Sequence, residues 1–138
     1  MQITFYGHAS LGIKIADTSI LVDPFISGNP KARDINIDEI ECDYVLITHG
    51  HIDHILDAET IAKRTNARVI CSWEIHEWLN DIGDTHPMNT GGSWDFTDFK
   101  IKCVHAVHSS GLPDGSYGGN AMGFLVTIGE QTIYCAGD

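Results

Sequence analysis

The residues with the greatest capacity for chemistry fall in one short stretch, residues 48–54, whose sequence is Thr-His-Gly-His-Ile-Asp-His. Neutral imidazole and carboxylate groups are the usual protein ligands of zinc, and they also bind manganese and iron. Residues two apart on an extended segment point the same way, so His49 and His51 are expected to hold one ion together. Gly50 lies between them and has no Cβ, which lets the backbone bend tightly around a cation.

Asp53 and His54 are adjacent and point away from the first pair, which suits a second ion beside the first. Two metal ions about 3.5–4 Å apart are the usual arrangement for hydrolysis, because together they activate water and bind the attacked oxygen. The alternative is a polar turn that is rich in histidine by chance. The density of ligand-type residues on one loop favours the metal site over that alternative.

The apolar residues 44–47 precede this stretch and predict a short buried strand, so the ligand-type residues lie on the loop that leaves it. Such a strand aims the first ligand, and the loop places the rest. Other elements are predicted along the chain: strands over residues 3–6, 11–15, 20–22, 67–71, 94–96, 99–108, 121–128 and 131–135, and helices over residues 57–64 and 73–79. The strand–helix–strand–helix order from Tyr44 onward favours a layered α/β architecture.

The pattern H-x-H-x-D-H after an apolar strand resembles the signature of the metallo-β-lactamase fold superfamily. Four other segments resemble one branch of it, the small metal-dependent hydrolases related to L-ascorbate-6-phosphate lactonase. They are Tyr-Gly-His-Ala-Ser at 6–10, Leu-Val-Asp-Pro-Phe at 21–25, His-Ser-Ser at 108–110 and Tyr-Cys-Ala-Gly-Asp at 134–138. The resemblance implies an αββα sandwich, of which residues 1–138 form a single domain that supplies roughly the N-terminal half.

The resemblance also implies a set of metal ligands. His49, His51 and His108 hold the first ion, because the histidine before the two serines matches the family's third ligand. His105 is the competing choice, and it remains a neighbour of the pocket or an ordinary strand residue. Two other groups, Asp53 and His54, hold the second ion with a further histidine that this sequence lacks. Asp138 has the position of the carboxylate that bridges both ions.

Two residues ahead of the histidine stretch are expected to support the site. His8 lies in the first turn, where a lone histidine is usually structural, but the family places a histidine there near the metal pocket or the substrate. Asp23 ends the third predicted strand and could simply cap a turn. The resemblance favours a second role for Asp23, in which it accepts a hydrogen bond from the free ring nitrogen of a ligand histidine. Residues 111–120 contain four glycines and a proline and predict a mobile loop at the rim.

These residues predict a metal-dependent hydrolase whose metal-bound water attacks a carbonyl or phosphoryl centre, as in an ester or phosphoester of a small molecule. A lactone or another carboxylic ester as the substrate is implied only by the resemblance to the lactonase branch. Asp53 is a candidate for moving a proton to the leaving group. Zinc fits the ligands best, and manganese, iron or nickel would also bind, since such ligands discriminate weakly among these ions. The alternatives are a phosphodiesterase or nuclease of the same fold, and a non-enzymatic metal-binding half-domain.

Composition restricts the partners. Lys and Arg number 8 against 19 Asp and Glu, and the formal net charge of −11 disfavours nucleic acid, which needs a basic surface. No stretch approaches the roughly 20 apolar residues that cross a bilayer, and no signal peptide is evident at the start. The four cysteines form no C-x-x-C pair, which favours buried, reduced thiols in a cytoplasmic protein.

The family continues beyond the Ala-Gly-Asp sequence with which this chain stops. Three explanations follow: a truncated fragment, one half of a split protein whose second chain carries the rest, or a shortened domain that pairs with itself as a homo-oligomer. The first two are favoured, because a natural domain that stopped on a ligand-bearing strand would leave unpaired edges and exposed apolar surface.

Overall fold

Nine strands and three short helices make up the computed structural model, which describes residues 1–138. The strands are β1 (Gln2–Gly7), β2 (Ser10–Ile15), β3 (Thr18–Val22), β4 (Tyr44–Leu46), β5 (Arg68–Ile70), β6 (Ser93–Asp95), β7 (Lys100–His105), β8 (Met122–Ile128) and β9 (Gln131–Cys135). The helices are α1 (Ile52–Ile55), α2 (Ala58–Thr65) and α3 (Trp73–Leu79), and a 3-10 turn spans Ile37–Glu39. None of the helices has the length and hydropathy that a membrane-spanning helix requires.

The first sheet has the strand order β1-β2-β3-β4-β5, with an antiparallel meander followed by two parallel additions. The parallel pairing places Val22 beside Leu46, and Leu46 beside Ile70. Because parallel strands end at the same edge of a sheet, the residues after β3 and β4 become neighbours there. Asp23 and Thr48 are brought together in this way, although 25 positions separate them.

The second sheet is antiparallel, in the order β6-β7-β8-β9. Its alternating residues face the first sheet, so that an apolar core fills the space between the two. This core contains Ile13, Ile20, Val22, Leu46, Ile70, Met88, Phe99, Ile101, Cys103, Met122, Phe124, Val126 and Cys135. A second core lies under α2 and α3, where Ile61 and Ile75 pack near Val45 and Val69. The layers are therefore helix, sheet and sheet, which confirms the predicted α/β class.

Two predicted elements differ from the structure. The end of the histidine stretch is helical, because the Ile55 N–H donates to the His51 carbonyl and starts α1 where a loop was expected. The strand predicted to reach His108 stops at His105, the last residue of β7 that pairs with β8. His105 therefore lies on β7, whereas His108 lies on the segment that follows the strand.

All four cysteines are buried and unpaired, as predicted. Burial raises the pKa of the Cys71 thiol to about 12, and it raises those of Cys42, Cys103 and Cys135 to about 11. These thiols behave as small apolar core groups, since a buried thiol is neither a good nucleophile nor a ready metal ligand.

Phe124 is the largest fully buried side chain in the core between the sheets. Replacing Phe124 by alanine is expected to lower the free energy of unfolding by about 3–5 kcal/mol, because the change loses buried apolar contact and leaves a cavity. Urea denaturation followed by circular dichroism measures this loss. Tyr134→Ala is the control: Tyr134 is 57% exposed on the next strand, and its loss should cost much less. Equal losses in the two variants would contradict the placement of the core.

Candidate metal centre

Three histidine rings converge at the edge of the first sheet, beyond the end of β4. His49 Nε2 lies 3.0 Å from His51 Nδ1, and His108 Nε2 lies 3.3 Å from the same His51 atom. His49 is buried, His51 is half-buried and His108 is exposed. The arrangement gives one group of nitrogen atoms that could hold a metal ion, and one side of that group faces solvent.

A second group lies beside the first and consists of His8, His54 and Asp138. His54 is completely buried, and its Nε2 atom lies 3.5 Å from Asp138 Oδ2. The same Asp138 oxygen lies 4.0 Å from His108 Nε2. One carboxylate oxygen therefore stands close to a nitrogen of each group.

Asp23 is a buried carboxylate that is linked to both groups, directly to His54 and through Thr48 to His49. Its Oδ2 lies 2.9 Å from His54 Nδ1 and accepts a hydrogen bond from Thr48 Oγ1 at 2.7 Å. Its Oδ1 accepts from the Thr48 backbone N–H at 2.8 Å. Thr48 Oγ1 in turn lies 3.0 Å from His49 Nδ1. With protons on Nδ1, both His49 and His54 turn their Nε2 lone pairs toward the two groups.

Two serines on the segment after β7 contact the His51 side chain and the Gly50 backbone. Ser109 Oγ lies 3.1 Å from His51 Nε2, and Ser110 Oγ accepts a hydrogen bond from the Gly50 N–H at 3.0 Å. With its proton on Nε2, His51 donates to Ser109 and presents Nδ1 to His49 and His108. The two serines thus fasten residues 108–110 to the loop after β4.

Two other predicted residues, Asp53 and His105, belong to neither group. Asp53 Oδ2 lies 3.2 Å from His8 Nε2, and both side chains are partly exposed. His8 also packs edge-on against the His54 ring, with the ring centroids 4.9 Å apart. His105 is exposed at the end of β7 and belongs to neither group.

The surroundings of His49 and His54 shift the pKa values of these two buried histidines in opposite directions. Burial lowers the pKa of His49 to about 3, and the neighbouring His54, His51 and His108 add to the effect. Burial also opposes protonation of His54, but the hydrogen bond and charge of Asp23 outweigh it and raise the pKa of His54. His49 is consequently neutral near pH 7 and has a free lone pair, as a metal ligand requires.

The donor set fits divalent metal ions. His54 Nε2 is buried and has no hydrogen-bond partner, a costly state for a ring nitrogen unless another group satisfies it. A cation beside this atom and the Asp138 carboxylate would supply that interaction. The other group, with three imidazole nitrogens, matches the nitrogen ligands that zinc prefers.

A helix–sheet–sheet fold with histidine and carboxylate groups at the sheet edge is the arrangement of a metallo-β-lactamase-type metal site. Residues 18–138 match the family described as "Beta-lactamase superfamily domain". The chain belongs to that family, and the predicted superfamily is confirmed.

Several relatives carry names that mention metal and hydrolysis. The chain is 53% identical to a UPF0173 metal-dependent hydrolase of Flavobacterium johnsoniae and 51% identical to another of Christiangramia forsetii. All of this chain and 62% of each relative are covered, so the chain spans about three fifths of their length. A solved metallo hydrolase from the archaeon Ignicoccus hospitalis is similar over 99% of this chain and 60% of its own, with 29% identity and a TM-score of 0.82.

Sequence reasoning did not single out Thr48 or Ser109 as partners of the histidines, and it gave His8 only a supporting position. A hydroxyl residue directly before His49, and another directly after His108, were the available signals. His8 gave no local signal of its proximity to His54, because the two rings are far apart in the sequence and only the tertiary fold brings them together.

Proposed function

We propose that this chain forms the metal-binding part of a hydrolase that uses two divalent ions against an ester, lactone or phosphoester of a small molecule. The observation that carries the proposal is the position of Asp138 Oδ2, 3.5 Å from His54 Nε2 and 4.0 Å from His108 Nε2. A single carboxylate close to two separate groups of donors suits a two-ion centre.

In this proposal His49, His51 and His108 hold one ion. His54 and Asp138 contribute to the second, and the adjacent pair Asp53 and His8 completes its surroundings. Zinc fits these ligands best, and manganese, iron or nickel are the alternatives that metal analysis would distinguish.

Divalent ions at these positions would supply a Lewis acid that activates water and polarises the attacked carbonyl or phosphoryl group. The chain's own residues hold the site in shape. Asp23 and Thr48 fix the ring orientation of His49 and His54, as carboxylates and hydroxyls do behind many metal-binding histidines. Asp53 is partly exposed beside His8 Nε2, a position that suits it to hold a proton and pass it to a leaving group.

Replacing Ser109 by alanine is expected to weaken metal binding by about 10–100-fold, because His51 loses the partner of its outer nitrogen. Competition with a chromogenic chelator measures the change. Ser110→Ala is the matched control, since Ser110 binds Gly50 N–H and the Gly118 carbonyl but no histidine. The control should lose stability and should weaken metal binding less than Ser109→Ala does, because its contacts are to backbone groups. If the two variants bound metal equally, Ser109 would have no role in positioning His51.

The proposed function is tested by metal analysis and hydrolysis on one preparation. The purified chain is loaded with zinc, manganese, iron or nickel, and bound metal per chain is counted by mass spectrometry. The same samples are offered a nitrophenyl ester, a lactone and a phosphodiester. Two ions per chain and hydrolysis that disappears with chelation are expected. One ion or none, without hydrolysis in any metal form, would overturn the proposal for this chain.

The coverage of the relatives supports a second candidate, in which these residues bind metal but need a complementing segment or chain for hydrolysis. Metal binding with no turnover in the same experiment would favour it. Intact-mass analysis of the protein from its native source would then show whether a second polypeptide accompanies the chain.

A further inference from the structure

The loop of residues 111–120 is joined by hydrogen bonds to the segment that carries His108. The Gly118 N–H donates to the Ser110 carbonyl at 2.7 Å, and Ser110 Oγ donates to the Gly118 carbonyl at 3.1 Å. Ser110 Oγ also accepts from the Gly50 N–H at 3.0 Å, and Gly50 separates two of the candidate ligand histidines. Through Ser110, the position of Gly118 therefore affects both segments that supply the three-histidine group.

The same loop contacts the start of α3. Ser72 Oγ donates to the Gly118 carbonyl at 2.7 Å, so this one oxygen accepts from Ser72 and from Ser110. Ser72 is buried and is also the N-cap residue of α3, where its Oγ accepts from the Ile75 N–H at 3.2 Å. Ile75 is completely buried in the core under the helix. The Gly118 carbonyl is therefore held by a helix that the core itself keeps in place.

Gly119 allows the loop to lie this close to α3. Its φ is +82°, a conformation that glycine adopts readily and that other residues rarely adopt. A Cβ at this position would lie 2.5 Å from Glu74 Oε2 and 2.8 Å from both Cβ and Oγ of Ser72. The Glu74 carboxylate ends a flexible side chain and can turn away, but Ser72 Cβ is attached directly to the backbone at the start of the helix. A side chain at Gly119 would therefore push the loop and α3 apart.

We propose that Ser72 and Gly119 are positioning residues of the metal centre. They dock the loop on α3, and the docked loop acts through Ser110 to hold His108 Nε2 at 3.3 Å from His51 Nδ1. Neither positioning residue contacts an ion in this assignment. The inference rests on the proposed function, because it takes His108 and His51 as ligands of one ion. Its physical basis is that apparent metal affinity falls with the fraction of molecules whose ligands are held in place.

The first test compares Gly119→Ala with a matched control, Gly115→Ala. Gly115 lies in the same loop with φ +85°, and a Cβ there would meet no other atom within 4 Å. Both variants introduce similar backbone strain, but only Gly119→Ala presses on α3. We expect Gly119→Ala to weaken zinc binding by about tenfold in chelator competition. It should also change the visible absorption spectrum of the cobalt-loaded chain, which reports the ligand geometry. Gly115→Ala should change neither the affinity nor the spectrum.

The second test is Ser72→Ala, which weakens the same contact from the helix side without adding an atom. We expect zinc affinity to fall by about fivefold, the effect of one lost hydrogen bond, together with a change in the cobalt spectrum. Thr18→Val is the control, because Thr18 Oγ1 also joins two distant segments, through a 2.8 Å hydrogen bond to Asp98 Oδ2. Thr18 begins β3, whereas Asp23 follows the other end of that strand. This control should lose stability while zinc affinity and the cobalt spectrum stay unchanged.

These measurements separate the inference from the proposed function, because affinity and spectrum are recorded without a substrate. If the chain binds zinc but hydrolyses nothing, the hydrolase proposal fails for this chain, and the two readouts still decide the inference. In the metal-free chain, the NMR signal of the Gly50 amide should move in both test variants and in neither control, since its hydrogen bond to Ser110 depends on the docked loop. Test variants that lose stability but keep the wild-type affinity, spectrum and Gly50 signal would overturn the inference, because the loop contact would then serve the fold alone.

Discussion

Replacing Asp23 by alanine is expected to lower the free energy of unfolding by about 2–5 kcal/mol and metal affinity by about 10–100-fold. The side chain is completely buried and interacts with Thr48 N, Thr48 Oγ1 and His54 Nδ1 through its two oxygens. Its removal leaves these polar groups without partners in the interior. It also frees the rings of His49 and His54 to rotate, so the loss reaches both groups of ligands. Urea denaturation and chelator competition measure the two effects separately.

The chain provides a matched control in Asp57, another buried carboxylate. Asp57 Oδ2 accepts from the Ile26 N–H at 2.6 Å and the Ser27 N–H at 2.9 Å, and Ser27 Oγ donates to its other oxygen. Asp57→Ala should therefore cost comparable stability while the folded protein keeps its metal affinity. Asp23→Asn retains the volume and provides a milder variant if the alanine form does not fold. An Asp23 variant that is unstable but binds metal normally would show that the carboxylate serves the fold alone.

Under the proposed two-ion function, replacing His49 by alanine is expected to remove the ion assigned to the three-histidine group and to lower hydrolysis by about 10³-fold or more. His49 is the buried member of that group, and its ring nitrogen lies 3.0 Å from His51 Nδ1. Metal content should fall from two ions to one, and the activity of the metal-loaded variant should not be recovered by excess zinc.

Two further variants make this prediction specific. His54→Ala should remove the other ion, because His54 lies in the second group. His105→Ala should keep both ions and full activity, since His105 is exposed and belongs to neither group. Retention of two ions in the His49 variant would contradict the assignment of that group. Loss of an ion in the His105 variant would indicate that His105 is a metal ligand.

Local sequence patterns accounted for most of the fold. Two strand-like runs on either side of Gly129 and Glu130 predicted the hairpin of β8 and β9, and helix formers with acids first and bases last predicted α2. Such elements depend on interactions between residues a few positions apart. The start of α1 was not predicted, because Ile52, Asp53 and His54 have no strong helical pattern and the helix has only four residues.

The sequence by itself supplied the ligand-type side chains of residues 48–54, and four of them within six positions predict a metal site before any folding is considered. Tertiary structure decided which distant residues join them. Asp23 reaches Thr48 because β3 and β4 are parallel neighbours that end at one edge. The Met122 N–H donates to the Thr48 carbonyl and ties the second sheet to this edge, near the segment that presents His108 and Ser109. These distances depend on how two sheets pack, and no pattern within a single segment specifies that.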